Sequence, residues 1–142
     1  MKQFTFLLLI STLLAGCNIR YDNNIIDKLE AEETANKLYY HLQMEDFESA
    51  EKLFSEKTFE EASREDLHNY FKATIHTFGN LTNFELDFWE TSVTDGKNPS
   101  GNYILCYYVS RQPKHTFEKL FLIKEENEIK ILGYEIKLDG YW

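Results

Sequence analysis

The stretch SREDLHNYFKATIHTFGNLTNFELDFWE, Ser63 to Glu90, changes its hydrophobic period partway along. Before Gly79, the residues Leu67, Tyr70, Phe71, Ile75 and Phe78 recur at the three-and-four spacing of one helix face. Ser63, with Asp66 three positions on, has the form of a capping box, and Gly79 suits the position just past a helix end. After Gly79 the period becomes two. Phe84, Leu86 and Phe88 alternate with Asn83, Glu85 and Asp87, the pattern of a strand with one wet face.

The change at Gly79 divides the whole chain. Between Asn18 and Phe78 there is neither Gly nor Pro, whereas five Gly and two Pro follow from Gly79 onward. The first part therefore reads as helical and the second as strands and turns. A first helix is expected over Ile25 to Gln43, with Ile25, Leu29, Ala35, Leu38 and Leu42 along one side and Tyr39, Tyr40 and Met44 extending that surface. A second, N-capped by Asp46 and carrying Phe47, Ala50, Leu53 and Phe54, is expected to stop near Ser55. Three more strands follow the first, over Tyr103 to Arg111, His115 to Glu125 and Glu128 to Leu138, with Asn127 taking positive φ in the last hairpin turn. Three helices followed by four antiparallel strands, without alternation, predict an α+β domain with the helices packed on one face of a curved sheet.

The N-terminus has a different character. MKQ, with one positive charge, precedes FTFLLLISTLL, eleven uncharged residues from Phe4 to Leu14. That is a signal-peptide h-region in length and too short for a permanent span, which needs roughly 20 apolar residues. Leu14-Ala15-Gly16-Cys17 resembles the lipobox of bacterial lipoproteins. The resemblance implies cleavage between Gly16 and Cys17 and a membrane anchor through covalent lipid on Cys17. An ordinary secretory signal cut nearby, leaving Cys17 a plain thiol, is the competing reading. The expected organisation is a signal peptide over 1–16, the lipidated Cys and a short tether over 17–24, and one α+β domain over 25–142. The resemblance also implies an envelope location. Because Asn18, not Asp, follows Cys17, it favours the outer membrane in a cell that has one. With Cys17 acylated, Cys106 has no disulfide partner in the chain and reads as a small buried hydrophobe.

The order of elements, the segment MEDFESAEKLFS (Met44 to Ser55), TFGNLTNFE (Thr77 to Glu85) and the four trailing strands together resemble the nuclear-transport-factor-2-like, or cystatin-like, group. In particular they are similar to its small bacterial lipoproteins and secreted domains of unknown function. The resemblance implies a cone-like fold with a pocket between helices and sheet. Enzymes of the group, such as ketosteroid isomerases and dehydratases, place carboxylate, Tyr or His groups in that cone. No such set carries over residue by residue, but Tyr39, Tyr40 and His41 are candidates to line a pocket. Dimers through the sheet are common in the group, and Tyr103, Tyr107 and Tyr108 are candidates for such an interface.

The remaining chemistry is sparse. The four histidines, His41, His68, His76 and His115, lie in three elements, and Glu65 with His68 forms a single helical pair, so no metal or other cofactor is expected. No Gly-x-Ser-x-Gly elbow or phosphate-binding Gly loop occurs. From Cys17 onward there are 14 basic and 24 acidic residues, a net charge of −10, which makes nucleic acid a poor partner. Asp27 to Asp66 alone carries 13 acids against 5 bases, either a solvated face or a docking surface for a basic protein.

The leading expectation is a non-enzymatic, membrane-anchored accessory or binding module. An isomerase or hydratase using the cone pocket, and an immunity-like inhibitor of a basic envelope toxin, are the alternatives. Substituting Cys17→Ser is expected to abolish palmitate labelling and leave unprocessed precursor. Labelling that survives the substitution would remove the lipoprotein reading.

Overall fold

The computed structural model describes residues 18–138. The elements run β1 (Ile19–Asp22), α1 (Ile25–Gln43), α2 (Phe47–Glu51), a 3-10 helix (Glu56–Glu60), α3 (Arg64–Phe78), β2 (Gly79–Asp95), β3 (Ser100–Pro113), β4 (His115–Glu125) and β5 (Glu128–Lys137). The fold is α+β. Its sheet has five strands, not the four expected, in the order β1-β2-β3-β4-β5 with every neighbouring pair antiparallel.

The extra strand comes from the segment read as a tether. Ile19 to Asp22 pairs with the far end of β2, from Asp95 back to Ser92. Asn23 ties the strand's exit to Thr91, its amide donating to the Thr91 carbonyl (2.9 Å) and its side-chain oxygen accepting from the Thr91 amide (3.0 Å). Four residues are too few for a period-two pattern to stand out. What holds them is the length of β2, 17 residues, which leaves an end for another strand to cover.

Side-chain caps set the helix starts, those of α2 and α3 as expected. The Asn24 side chain accepts from the Ile26 amide to open α1, Asp46 accepts from Ser49 to open α2, and Ser63 and Asp66 form a complete capping box on α3. The buried face of α1 differs from the expected one. It is Ala31, Thr34, Ala35, Leu38, Tyr39 and Leu42, while Ile25 and Leu29 are each 56% exposed. At about 100° per residue, Ile25 lies some 240° round from Ala31 and turns away from the sheet. Ala31 and Ala35 are wholly buried because small side chains let the helix approach the strands closely.

The second helix ends at Glu51, earlier than expected, because β5 captures the backbone that follows. Ile131 donates to the Leu53 carbonyl (2.9 Å), and Ser55 donates to the Ile131 carbonyl (2.8 Å). A 3-10 turn then leads into α3. In the β4–β5 turn the positive φ falls on Glu126 (55°), not on Asn127.

Two bulges in β2 redirect its side chains. Leu86 pairs with Tyr107 but Phe88 pairs with Cys106, so Asp87 is an extra residue and the alternation slips by one. Phe84 and Leu86 stay on the helix side. Phe88, expected beside them, is 53% exposed on the other face, and Trp89 packs against the core in its place. The core lies between the helices and one face of the sheet, built from Leu38, Tyr39, Phe71, Val93, Tyr103, Leu105, Tyr107, Val109, Leu120, Leu122 and Ile131.

The junction that announced the fold is also its tightest. Gly79 caps α3, its amide donating to the Ile75 carbonyl at φ +92°, and a Cβ there would stand 1.7 Å from the Gln112 carbonyl oxygen. Gly79→Ala therefore combines a strained φ with a backbone clash. It is expected to lower stability by at least about 2 kcal/mol, read as a lower denaturant midpoint at unchanged m value. A midpoint equal to that of the parent would contradict the close approach.

Candidate functional site

An opening with a volume of about 580 Å³ runs between the 3-10 helix, α3 and β5. Phe54, Phe59, Leu67, Tyr70, Tyr134 and Ile136 give it mostly apolar walls. Three features of the chain create it. The early end of α2 sends the backbone across β5 at Ile131, the 3-10 turn follows, and α3 then sets Leu67 and Tyr70 opposite the second half of β5. Gly133, which lacks a side chain, lies along this stretch under Phe121.

Glu135 and Lys137 also border the groove, and several of the other polar groups around it are already engaged. The Asp66 carboxylate accepts from the Ser63 amide (2.9 Å) and hydroxyl (2.6 Å), and this capping role holds it below its ordinary range. Arg64, over the Phe59 ring at 4.1 Å, forms ion pairs with Glu51 and Glu56, both at 2.6 Å. Tyr70 and Tyr134 meet edge to face, centroids 6.0 Å apart.

Beneath the groove, Tyr134 reaches a buried charge cluster. Glu118 on β4 is wholly buried. Its Oε1 accepts from Arg111 Nε (3.0 Å), Arg111 Nη2 (2.8 Å) and the Thr116 hydroxyl (2.6 Å), while its Oε2 accepts from the Tyr134 hydroxyl. Arg111 Nη1 also donates to the Gly79 carbonyl (3.2 Å). Burial disfavours the Arg111 charge, but Glu118 and Tyr134 outweigh that and hold the guanidinium above its ordinary value. Chemically this is a saturated cluster: Arg111 Nε and Nη2, Thr116 and Tyr134 all donate to one carboxylate, and that carboxylate is shut away from the groove by the Tyr134 ring.

Sequence reading passed over Arg111 and Glu118. A signal was present, since Arg111 continues the inward series Tyr103, Leu105, Tyr107, Val109, and Glu118 interrupts the inward series Thr116, Leu120, Leu122. Opposite charges in phase with core positions on consecutive strands mark a buried pair.

The residues singled out from sequence go to different places. Tyr39 is wholly buried, stacked on Phe84 with centroids 4.4 Å apart. Tyr40 is 58% exposed, and His41 lies 3.5 Å from the Asp46 carboxylate. Successive helix positions point in different directions, so these three do not line one pocket, and none of them borders the groove. Tyr103 and Tyr107 are buried under the helices and are out of reach of a partner on the outer sheet face. Tyr108 is on that face, stacked on His115 at 5.2 Å. His68 turns to Glu51, 2.8 Å away, leaving Glu65 aside. Among the described residues, no group of three or more His, Cys, Asp or Glu is placed to hold a metal ion. Cys106 is buried, and burial pushes its thiol up. Cys17 and Gly16 lie outside the described residues. Among the described residues, no helix is long and apolar enough to cross a membrane.

No family model and no curated protein matches the chain. Among solved structures it is similar to a protein of unknown function with a cystatin-like fold from Nostoc punctiforme, at 18% identity. The match covers 82% of this chain and 93% of that one, with a TM-score of 0.48.

The buried tyrosines dictate an alkaline limit. Burial, and after it the Glu118 charge, raises the Tyr39 and Tyr134 hydroxyls well above the ordinary tyrosine value. Burial and then Asp27 push Tyr103 up to about 12, and burial and then Glu32 raise Tyr107. Above pH about 10 the unfolded chain releases these protons while the folded chain keeps them, so stability is fully present below that pH and falls as pH rises beyond it. Tyrosinate absorbance from these rings is expected to rise together with the loss of circular dichroism. Their ionisation within an intact fold would refute the burial argument.

Proposed function

We propose that the protein is a lipid-anchored binding module of the cell envelope whose domain, cystatin-like in architecture, takes a small apolar molecule in the groove between α3 and β5. The observation that carries the binding part is the groove itself. It has the size of small-molecule sites, roughly 300–1,000 Å³, and walls of Phe, Leu, Ile and Tyr. Two of the polar groups that border it are committed elsewhere, Asp66 to the α3 cap and the Tyr134 hydroxyl to Glu118. Such a site favours an apolar ligand through burial and offers it few hydrogen bonds. Envelope anchoring is supported by the order of charge, h-region and Leu14-Ala15-Gly16-Cys17 in the sequence.

This arrangement favours binding over the isomerase or hydratase alternative. A general acid or base must reach the substrate. Of the carboxylates at the groove, Asp66 is held by the α3 cap and Glu118 beneath the floor is covered by Arg111, Thr116 and Tyr134, so the enzymatic alternative would have to use Glu135, which borders the groove. The acidic helices likewise spend several charges internally, with Glu33 on Lys37 and both Glu51 and Glu56 on Arg64. This weakens the case for docking a basic protein there.

Photolabelling the full chain with a small diazirine-bearing hydrocarbon tests the site. Adducts are expected on Leu67, Tyr70 and Tyr134. Leu67→Glu, which sets an unpaired carboxylate in the wall, should reduce them at least about tenfold, equivalent to about 1.4 kcal/mol of affinity, with circular dichroism unchanged. Labelling that ignores this substitution, or adducts that avoid the groove, would overturn the assignment.

A further inference from the structure

The described chain begins at Asn18, directly after Cys17, and β1 begins at Ile19. As a free segment, residues 18–24 would let the domain stand roughly 25 Å from a lipid on Cys17. With Ile19 to Asp22 paired to β2 and Asn23 bonded to Thr91, the span between Cys17 and the folded sheet is only two residues, about 7 Å. A lipid on Cys17 would therefore draw the β1 edge of the domain to the bilayer surface.

That edge exposes an apolar group of side chains. Ile19 is 54% exposed, Tyr21 40%, Ile25 56%, Ile26 63% and Leu29 56%. Ile19 and Tyr21 alternate with the Arg20–Asp22 ion pair and, by register with Asp95 and Val93, lie on the helix-bearing face of the sheet. Ile25, Ile26 and Leu29 crowd the start of α1, on the side turned away from Ala31, Ala35 and Leu38. A two-residue connection, Asn23-Asn24, joins the two sets. Five exposed apolar residues within eleven positions, beginning two residues from the anchor, do not fit a solvated rim.

We propose that this rim, Ile19, Tyr21, Ile25, Ile26 and Leu29, lies in the headgroup boundary of the bilayer that holds the Cys17 lipid. It acts as a second, non-covalent contact that fixes the orientation of the domain. The inference rests on the lipid-anchored reading above. The occupant is lipid because a bilayer is what the chain direction and the short span bring to this edge. Contact is apolar, since Asp27, Glu30, Glu32 and Glu33 outnumber Lys28 and Lys37 over residues 27–37, an acidic excess that repels anionic headgroups. The opposite end of β3, near Lys114, is held away from the membrane by the length of a 14-residue strand.

The full-length protein, purified from membranes and returned to phosphatidylcholine vesicles, provides the test. Leu29→Cys and Lys114→Cys each accept one polarity-sensitive nitrobenzoxadiazole label, because Cys17 is acylated in this reading and Cys106 is buried. The label at 29 is expected to shift to the blue and to lose emission to doxyl-labelled lipids, and the label at 114 to do neither. An aqueous spectrum at 29, in a preparation whose palmitate labelling shows the anchor in place, would overturn the orientation and leave the lipoprotein reading intact. A blue shift without lipid quenching, but with self-quenching between labelled molecules, would assign the rim to a second copy and also overturn it. A preparation without palmitate would remove both.

Discussion

The Glu118 carboxylate is the point on which the sheet is organised. It lies on β4, takes two donors from Arg111 on β3 and one from Tyr134 on β5, and through Arg111 is connected to the Gly79 carbonyl at the start of β2. Four consecutive strands are thus fixed in register at one end by a single buried ion pair. Removing one member of such a pair typically costs about 3–5 kcal/mol, because the other is left charged and unsolvated, whereas replacing both with apolar groups can be neutral. The cluster is therefore better understood as a device for register than as a source of net stability. A one-residue slip of β4 would turn Glu118 outward and leave Arg111 unpaired in the core.

The same cluster shapes the groove. Tyr134 is shared, its hydroxyl on Glu118 and its ring in the groove wall against Tyr70. Because the hydroxyl is held, the ring is held, and the floor of the groove is a rigid aromatic surface with its polar end turned inward. Binding an apolar molecule there needs no rearrangement of the charges beneath. The early end of α2 and the capture of Leu53 and Ser55 by Ile131 keep the groove open at its other wall. Site and register thus depend on the same few side chains of β3, β4 and β5.

Local signals were legible wherever they were complete within a few residues. The limits of α1, the caps Asp46 and Ser63–Asp66, the end of α3 at Gly79 and the span of β4 could all be read from spacing and cap chemistry. Elements whose form depends on a distant partner could not. The 53–58 segment leaves its helix because a strand some 75 positions later offers it hydrogen bonds. Phe88 changes face because one bulged residue, Asp87, has no counterpart on β3. The outward turn of Ile25 and Leu29 was available from the 100° period, but their apolar character pulled them into the expected core.

By itself the sequence determined the α+β order, the helix caps, the strong acidity and the resemblance of residues 14–17 to a lipobox, because each is written in neighbouring residues or in composition. Only the tertiary structure decided that Ile19 to Asp22 is a strand, that Arg111, Glu118 and Tyr134 meet in one buried cluster, and that the groove lies between α3 and β5, away from Tyr39 to His41. The reason is common to all three. A short strand, a buried ion pair and a groove exist only between segments far apart in the chain, and their stability comes from the partner that folding brings to them.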